Sequence, residues 1–313
     1  MMSSIPILDY SKYTSGDPDA IQEFSQELGS AFQNIGFASI KNHDIDNKLL
    51  ERFYATARSF FDLPLHKKLE YHFPELHGQR GYTSFGVEHA KDNPFPDLKE
   101  FWHFGQKDDV AITEGFPINV AVQELREFNE MGMKLYTEFL KTGINILRSV
   151  ATFLSLDKDY FTPFVKPGNS ILRPIHYPPV QNAEEGAIRA GAHEDINLIT
   201  LLASADGKGL EVLNKAGEWV AVNNNSESLV INVGDMLDRL SNGVLRSTTH
   251  RVSLPTAVYA KHSRYSIPFF VHPVSNMSLN CLEHCIMSEG KKKYEDISAG
   301  EFLEQRLREI GLM

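Results

Sequence analysis

The stretch AGAHEDINLITLL, from Ala190 to Leu202, decides how this chain is read. Its second half has the apolar composition of a buried strand, yet His193, Glu194 and Asp195 introduce it. Desolvating charged groups is costly unless they are paired or bind a metal. Strand alternation predicts that His193 and Asp195 share one face while Glu194 points to the other. Alone, a His-x-Asp pair is also a common structural arrangement, because carboxylates orient imidazoles.

Two later stretches change its meaning. In STTHRVSL, His250 sits within a β-rich run several strands further on, and an antiparallel sandwich can bring such distant strands together. His193, Asp195 and His250 would then offer two imidazoles and one carboxylate to one side of a metal. That is the facial triad of non-haem Fe(II) sites, which keeps positions open for oxygen and substrate. In RYSIPFFV, alternation puts Arg264 and Ser266 on one face and Tyr265 and Ile267 on the other. A guanidinium cannot shed its charge, so Arg264 needs an anionic partner. Either a protein acid or a bound carboxylate, assisted by the Ser266 hydroxyl, would serve.

The surrounding pattern indicates a helical first half and a β-rich second half. DPDAIQEFSQELGSAFQNIG carries Ile21, Phe24, Leu28 and Phe32 at helical spacing, with Gly36 as a stop. A short strand, FASIKN, and a helix over NKLLERFYATARSFFDL follow. Residues 76–115 are rich in Gly, Pro and aromatics and read mostly as loop. A long helical pattern runs from Leu125 to Phe153, where Gly132 and Gly143 mark bends or close contacts. From about Ser170 to Pro273 short strands alternate with turn clusters such as ADGKG, NKAGE and NNNSES, the pattern of a sandwich or barrel. The last segment returns to helix, with Ser298 and Glu301 spaced as a capping box. The expected organisation is one integrated unit: a mainly helical region over 1–169, a β core over 170–280 and a helical tail over 281–313.

Composition narrows the partners. With 42% hydrophobic residues, the 313-residue chain can bury a sizeable core, and a formal charge of −10 argues against nucleic acid or an anionic membrane. No apolar run approaches the roughly 20 residues that span a bilayer. The N-terminus lacks the basic start and apolar core of a signal peptide. A cytoplasmic location and a small-molecule partner are the expectation; oligomeric state is not encoded in any pattern. Cys281, His284 and Cys285 in CLEHC could ligate zinc but lack a fourth ligand nearby, so ordinary thiols are expected.

His-x-Asp, a distant His and Arg-x-Ser, in that order on β-runs, resemble the isopenicillin N synthase-like family of Fe(II)- and 2-oxoglutarate-dependent oxygenases. The resemblance covers nearly the whole chain, through IPILDYS, NIGFASIKNHDI, FFDLPLHKK, RGYTSFG, DLKEFWHFG, HYPP, AHEDINLITLL, GLEVL, GEWV, NVGDML, SNGVLRSTTHRV and RYSIPFF. It implies a double-stranded β-helix (jelly-roll) core, mostly β with flanking helices. It also implies that His193, Asp195 and His250 ligate iron, and that Arg264, Ser266 and Tyr177 bind the 2-oxoglutarate cosubstrate. An asparagine often stands two positions before that tyrosine; here the position holds Ile175. The implied reaction oxidises a small organic substrate with O2, releasing succinate and CO2, by hydroxylation, desaturation or cyclisation. An iron oxidase of the isopenicillin N synthase type, which uses no 2-oxoglutarate, shares the motif. A non-catalytic sandwich binding a small acid, and a zinc hydrolase, are the remaining readings. Tyr82, Phe85, Phe101, Trp102, Phe104 and Phe270, or the polar Arg173, Arg189 and His103, are candidates to line a substrate pocket.

Overall fold

A computed structural model describes residues 4–87, 97–179, 189–204, 209–222, 227–253 and 262–309. The first strands are β1 (Ile7–Asp9), β2 (Phe37–Lys41), β3 (Gly81–Thr83), β4 (Glu100–His103), β5 (Ile171–Leu172) and β6 (Ile175–Tyr177). They are followed by β7 (Ala190–His193), β8 (Ile199–Ser204), β9 (Leu210–Leu213) and β10 (Trp219–Ala221). The last are β11 (Leu229–Val233), β12 (His250–Val252) and β13 (Arg264–Val271). The large sheet runs β1-β2-β11-β8-β13-β6-β4-β3, with β5 also paired to β13, and the small sheet runs β10-β9-β12-β7.

Period-2 alternation divides the large sheet into two faces. Tyr265, Ile267, Phe269 and Val271 of β13, Leu201 of β8 and Ile231 of β11 join one apolar layer with the helices. Within that layer, helix Arg126–Phe153 sets Tyr136 and Phe139 against Phe269 at 5.2 and 5.5 Å between ring centres. Gly132 and Gly143 are close contacts and not bends. A Cβ on Gly132 would fall 2.4 Å from the Phe104 ring, and one on Gly143 would fall 3.0 Å from Val271. The opposite face meets the small sheet, where Phe37 and Val230 pack with Val212 and Val252. Beside them Phe101, Ile175 and Tyr177 form a separate inner cluster. The architecture is the double-stranded β-helix, with helices against its outer face.

The helix ends follow the expected chemistry. Asp17 caps helix Pro18–Asn34 by accepting from the Asp19 amide, and Gly36 turns the chain at a φ of +73° that disfavours other residues. Ser298 and Glu301 form the reciprocal capping box before helix Ala299–Glu309. The structure adds to one expectation and corrects another. Residues 76–115 are more than loop: between their turns they contribute β3, β4 and helix Asp108–Glu114, and β4 extends the large sheet beside β6. AGAHEDINLITLL is not one strand; β7 lies in the small sheet and β8 in the large one, and the chain crosses between them over residues 194–198. Most of ADGKG and NNNSES, residues 205–208 and 223–226, lies outside the described residues.

Candidate active site

Strand pairing brings the three candidate ligands together. His250 lies directly opposite His193 in the β12–β7 ladder, and the two rings are 4.4 Å apart. Asp195 is two residues past the end of β7, so the crossover turns it inward, and not strand alternation as expected. Its Oδ1 stands 4.0 Å from His193 Nε2 and 3.9 Å from His250 Nε2. Glu194 points outward, where its carboxylate accepts from the Thr249 hydroxyl. Among the described residues this is the one His/Cys/Asp/Glu group suited to hold a metal ion. CLEHC forms no such group; Cys281 and Cys285 are free thiols.

The hydrogen bonds around these residues leave donor atoms facing one point. His193 Nδ1 donates to the Gly191 carbonyl at 2.7 Å, and His250 Nδ1 donates to the Thr248 carbonyl at 3.1 Å. A carbonyl only accepts, so each ring carries its proton on Nδ1 and presents the Nε2 lone pair inward. Asp195 Oδ2 accepts from Thr200 Oγ1 and Asn232 Nδ2, both at 2.7 Å, which leaves Oδ1 facing the imidazoles. Burial pushes the Asp195 carboxyl up, but His250, His193 and these two donors hold it below its usual value. Desolvation, the adjacent His250 and the ammonium of Lys99 push His193 down to about 4. Two imidazoles and a carboxylate match the donor set that suits Fe(II), so the residues present fit that ion.

Thr200 and Asn232 are absent from the sequence reading, although one signal was available. Asn232 is a polar residue inside LVINV, a strand buried at every position. Such a residue needs an acceptor, and Asp195 provides it.

On the inner face of β13, Arg264 pairs in register with Tyr177 and Ser266 with Ile175. Arg264 is only 4% exposed, and its guanidinium lies 5.0 Å from the Tyr177 ring centre. Its Nε and Nη1 have no hydrogen-bond partner among the described residues. A salt bridge to a described acid is therefore not what holds it. Ile175 offers a buried apolar side chain in place of an amide.

The remaining candidates separate by face. Tyr82, Trp102 and Phe104 belong to the layer beneath the helices, whereas Phe101 points inward and Phe85 is exposed. Arg173 lies inside, 4.3 Å from the Phe101 ring centre and 5.0 Å from that of Phe270, and donates to His103 Nε2 at 2.5 Å. The Arg189 guanidinium is 5.9 Å from the Tyr177 ring centre.

Close by, His272 has a buried Nδ1 without a partner among the described residues, and desolvation pushes its pKa down to about 4. The unfolded chain takes up this proton below about 6.5, while the folded protein resists until about 4. Stability of the metal-free protein should therefore fall as pH drops through that window. Urea unfolding at pH 7.5 and 5 should show a shallower fall for His272→Gln than for the parent; an equal fall would remove His272 as a contributor.

A triad of this type beside a buried arginine with free donors defines a non-haem iron oxygenase. Known proteins agree. Residues 168–273 match the 2OG-Fe(II) oxygenase superfamily, and residues 5–127 match the family described as non-haem dioxygenase in morphine synthesis N-terminal. A protein named proline hydroxylase buaE, from Petromyces alliaceus, is 32% identical over 96% of this chain and 97% of its own. Among solved structures, one assigned to the 2OG-Fe(II) oxygenase family from Caulobacter crescentus is 41% identical. It covers 99% of this chain and 100% of its own, with a TM-score of 0.89. A full-length Neurospora crassa protein solved in complex with alpha-KG is 32% identical, covers 97% of this chain and 95% of its own, and has a TM-score of 0.87.

The chain belongs to the isopenicillin N synthase-like Fe(II)/2-oxoglutarate oxygenase family. It is a 2-oxoglutarate-dependent oxygenase that uses Fe(II) and O2, and the readings as a hydrolase or a non-catalytic sandwich fall away. No helix among the described residues is long and apolar enough to cross a membrane.

Proposed function

We propose that His193, Asp195 and His250 hold the Fe(II), and that Arg264, with Ser266 and Tyr177, grips the far carboxylate of 2-oxoglutarate. The oxidised substrate is a small organic molecule admitted between the two sheets of a cytoplasmic enzyme. The observation that carries this reading is the buried Arg264, without an acid partner among the described residues. A buried unpaired charge costs several kcal/mol, by order of magnitude, and an incoming dicarboxylate relieves that cost.

When bound, the iron supplies oxygen activation coupled to conversion of 2-oxoglutarate into succinate and CO2. The protein supplies geometry around it. Thr200 and Asn232 keep Asp195 anionic and aimed; the two backbone carbonyls fix the Nδ1 proton of each imidazole and turn its Nε2 toward the metal. Phe101 and Ile175, buried with Tyr177, supply an apolar surface beside Arg264. The free thiols suit a reducing compartment. Relatives include a protein named for proline hydroxylation and the Neurospora crassa protein, solved also with thymine, so compact polar metabolites are the first substrates to try.

The test follows succinate release from 2-oxoglutarate by the iron-loaded protein in air. Slow release alone and faster release with the true substrate, for which proline and thymine begin the screen, are expected. An iron-loaded preparation that neither binds 2-oxoglutarate nor forms succinate would sink the reading.

A further inference from the structure

The two histidines of the triad are supported unequally. His250 lies on β12, which is hydrogen-bonded to β9 on one side and β7 on the other. His193 lies on β7, an edge strand with one strand partner among the described residues. That single ladder is irregular where it matters, because the register shifts between the His250–His193 and Val252–Ala190 pairs. Gly191 falls inside the irregular segment, and its carbonyl is what His193 Nδ1 donates to.

A buried ion pair occupies the open edge at this point. The Gly191 amide donates to Asp97 Oδ1 at 3.0 Å, and Lys99 Nζ donates to Asp97 Oδ2 at 2.8 Å. Asp97 is 4% exposed and Lys99 is 8% exposed. The Lys99 amide donates to the Asp97 carbonyl at 2.9 Å, which folds this segment tightly just ahead of β4. The pair thus reaches from the large sheet to the edge of the small one. Bonding to a carboxylate is shorter and stronger than bonding to a neutral oxygen, so Gly191 is held firmly. DLKE was part of the family resemblance, but no role followed from it.

We propose that Asp97, neutralised by Lys99, is a positioning residue of the metal centre: it pins Gly191 and so aims the His193 ring. It does for β7 what the β9 ladder does for β12. The proposal rests on the reading of His193 as a ligand. Partners beyond the ligands of a metal site affect its affinity by about 10–100-fold, and Asp97 acts one residue further out than such a partner.

The test titrates metal-stripped full-length protein with Mn(II), a divalent probe that does not oxidise readily in air, and records the thermal midpoint alongside. Asp97→Ala should weaken Mn(II) binding about tenfold, and Asp97→Asn, which keeps an acceptor for Gly191, should fall between it and the parent. Lys68→Met breaks a comparable buried pair with Glu100 beneath the helices, and should lower the thermal midpoint while leaving Mn(II) affinity within about twofold. Parent-like affinity in both Asp97 variants overturns the proposal, as does an equal loss in Lys68→Met. Should Asp97→Ala fail to fold, Asp97→Asn decides alone: weakened binding supports the role and unchanged binding refutes it. Undiminished Mn(II) binding by His193→Ala would instead refute the underlying ligand assignment.

Discussion

Asp195→Ala should abolish iron retention and reduce 2-oxoglutarate turnover by at least about a thousandfold, beyond the 10–100-fold typical of changes outside the ligand set. The carboxylate is the one anionic donor of the triad and sits within 4.0 Å of both Nε2 atoms. Two neutral imidazoles alone leave the charge of a divalent ion uncompensated in a poorly hydrated site. Folding should survive. The substitution leaves the Asn232 amide and the Thr200 hydroxyl proton without this acceptor, a cost of about 1–3 kcal/mol each, but also removes a buried charge from the metal-free protein. Metal content and succinate formation should therefore fall together while the far-ultraviolet spectrum stays unchanged. Substrate-stimulated turnover persisting in this variant would remove Asp195 from the centre.

Sequence patterning made some of this site legible and hid the rest for identifiable reasons. β13 was readable because Arg264 and Ser266 alternate with Tyr265 and Ile267 at the head of an otherwise apolar run. The triad was readable as residue types in order. The route by which Asp195 arrives was not, since residues 194–198 contain no Gly or Pro to announce that β7 and β8 enter different sheets. The crossover is set by contacts far along the chain: the Asp235 amide donates to the Asp195 carbonyl, and Gly234 permits approach to Asn197, where a Cβ would fall 2.2 Å from the Asn197 carbonyl oxygen. Asp97 escaped for the same reason, because the strand it braces is 94 residues away. β3 and β4 were missed because their Gly- and aromatic-rich surroundings resemble loop. Pairing with β6 and burial of Trp102 against Phe60 and Phe128 override that local preference.

Arg264→Met should separate cosubstrate binding from folding and from metal binding. Arginine meets a carboxylate with two parallel charge-assisted bonds, each worth about 1.5–3 kcal/mol. Losing both should raise the KM for 2-oxoglutarate by at least about 100-fold, with Mn(II) affinity unchanged. Without 2-oxoglutarate the variant should be as stable as the parent or more so, because methionine replaces a buried cation whose Nε and Nη1 have no partner among the described residues. Adding 2-oxoglutarate reverses the order. The parent gains about 2.7 kcal/mol at a hundredfold excess over Kd, and the variant gains little. Arg264→Lys should fall between them, as an ammonium restores charge without the planar fork. Ile175 sharpens the dependence, since it places an apolar side chain opposite Ser266 where the family resemblance implies an amide. With that contact absent, the proposed grip of Arg264 should carry a larger share of cosubstrate affinity. Ile175→Asn should therefore lower the KM for 2-oxoglutarate in the parent and partly offset Arg264→Lys. A parent-like KM in Arg264→Met would show that the far carboxylate is held elsewhere.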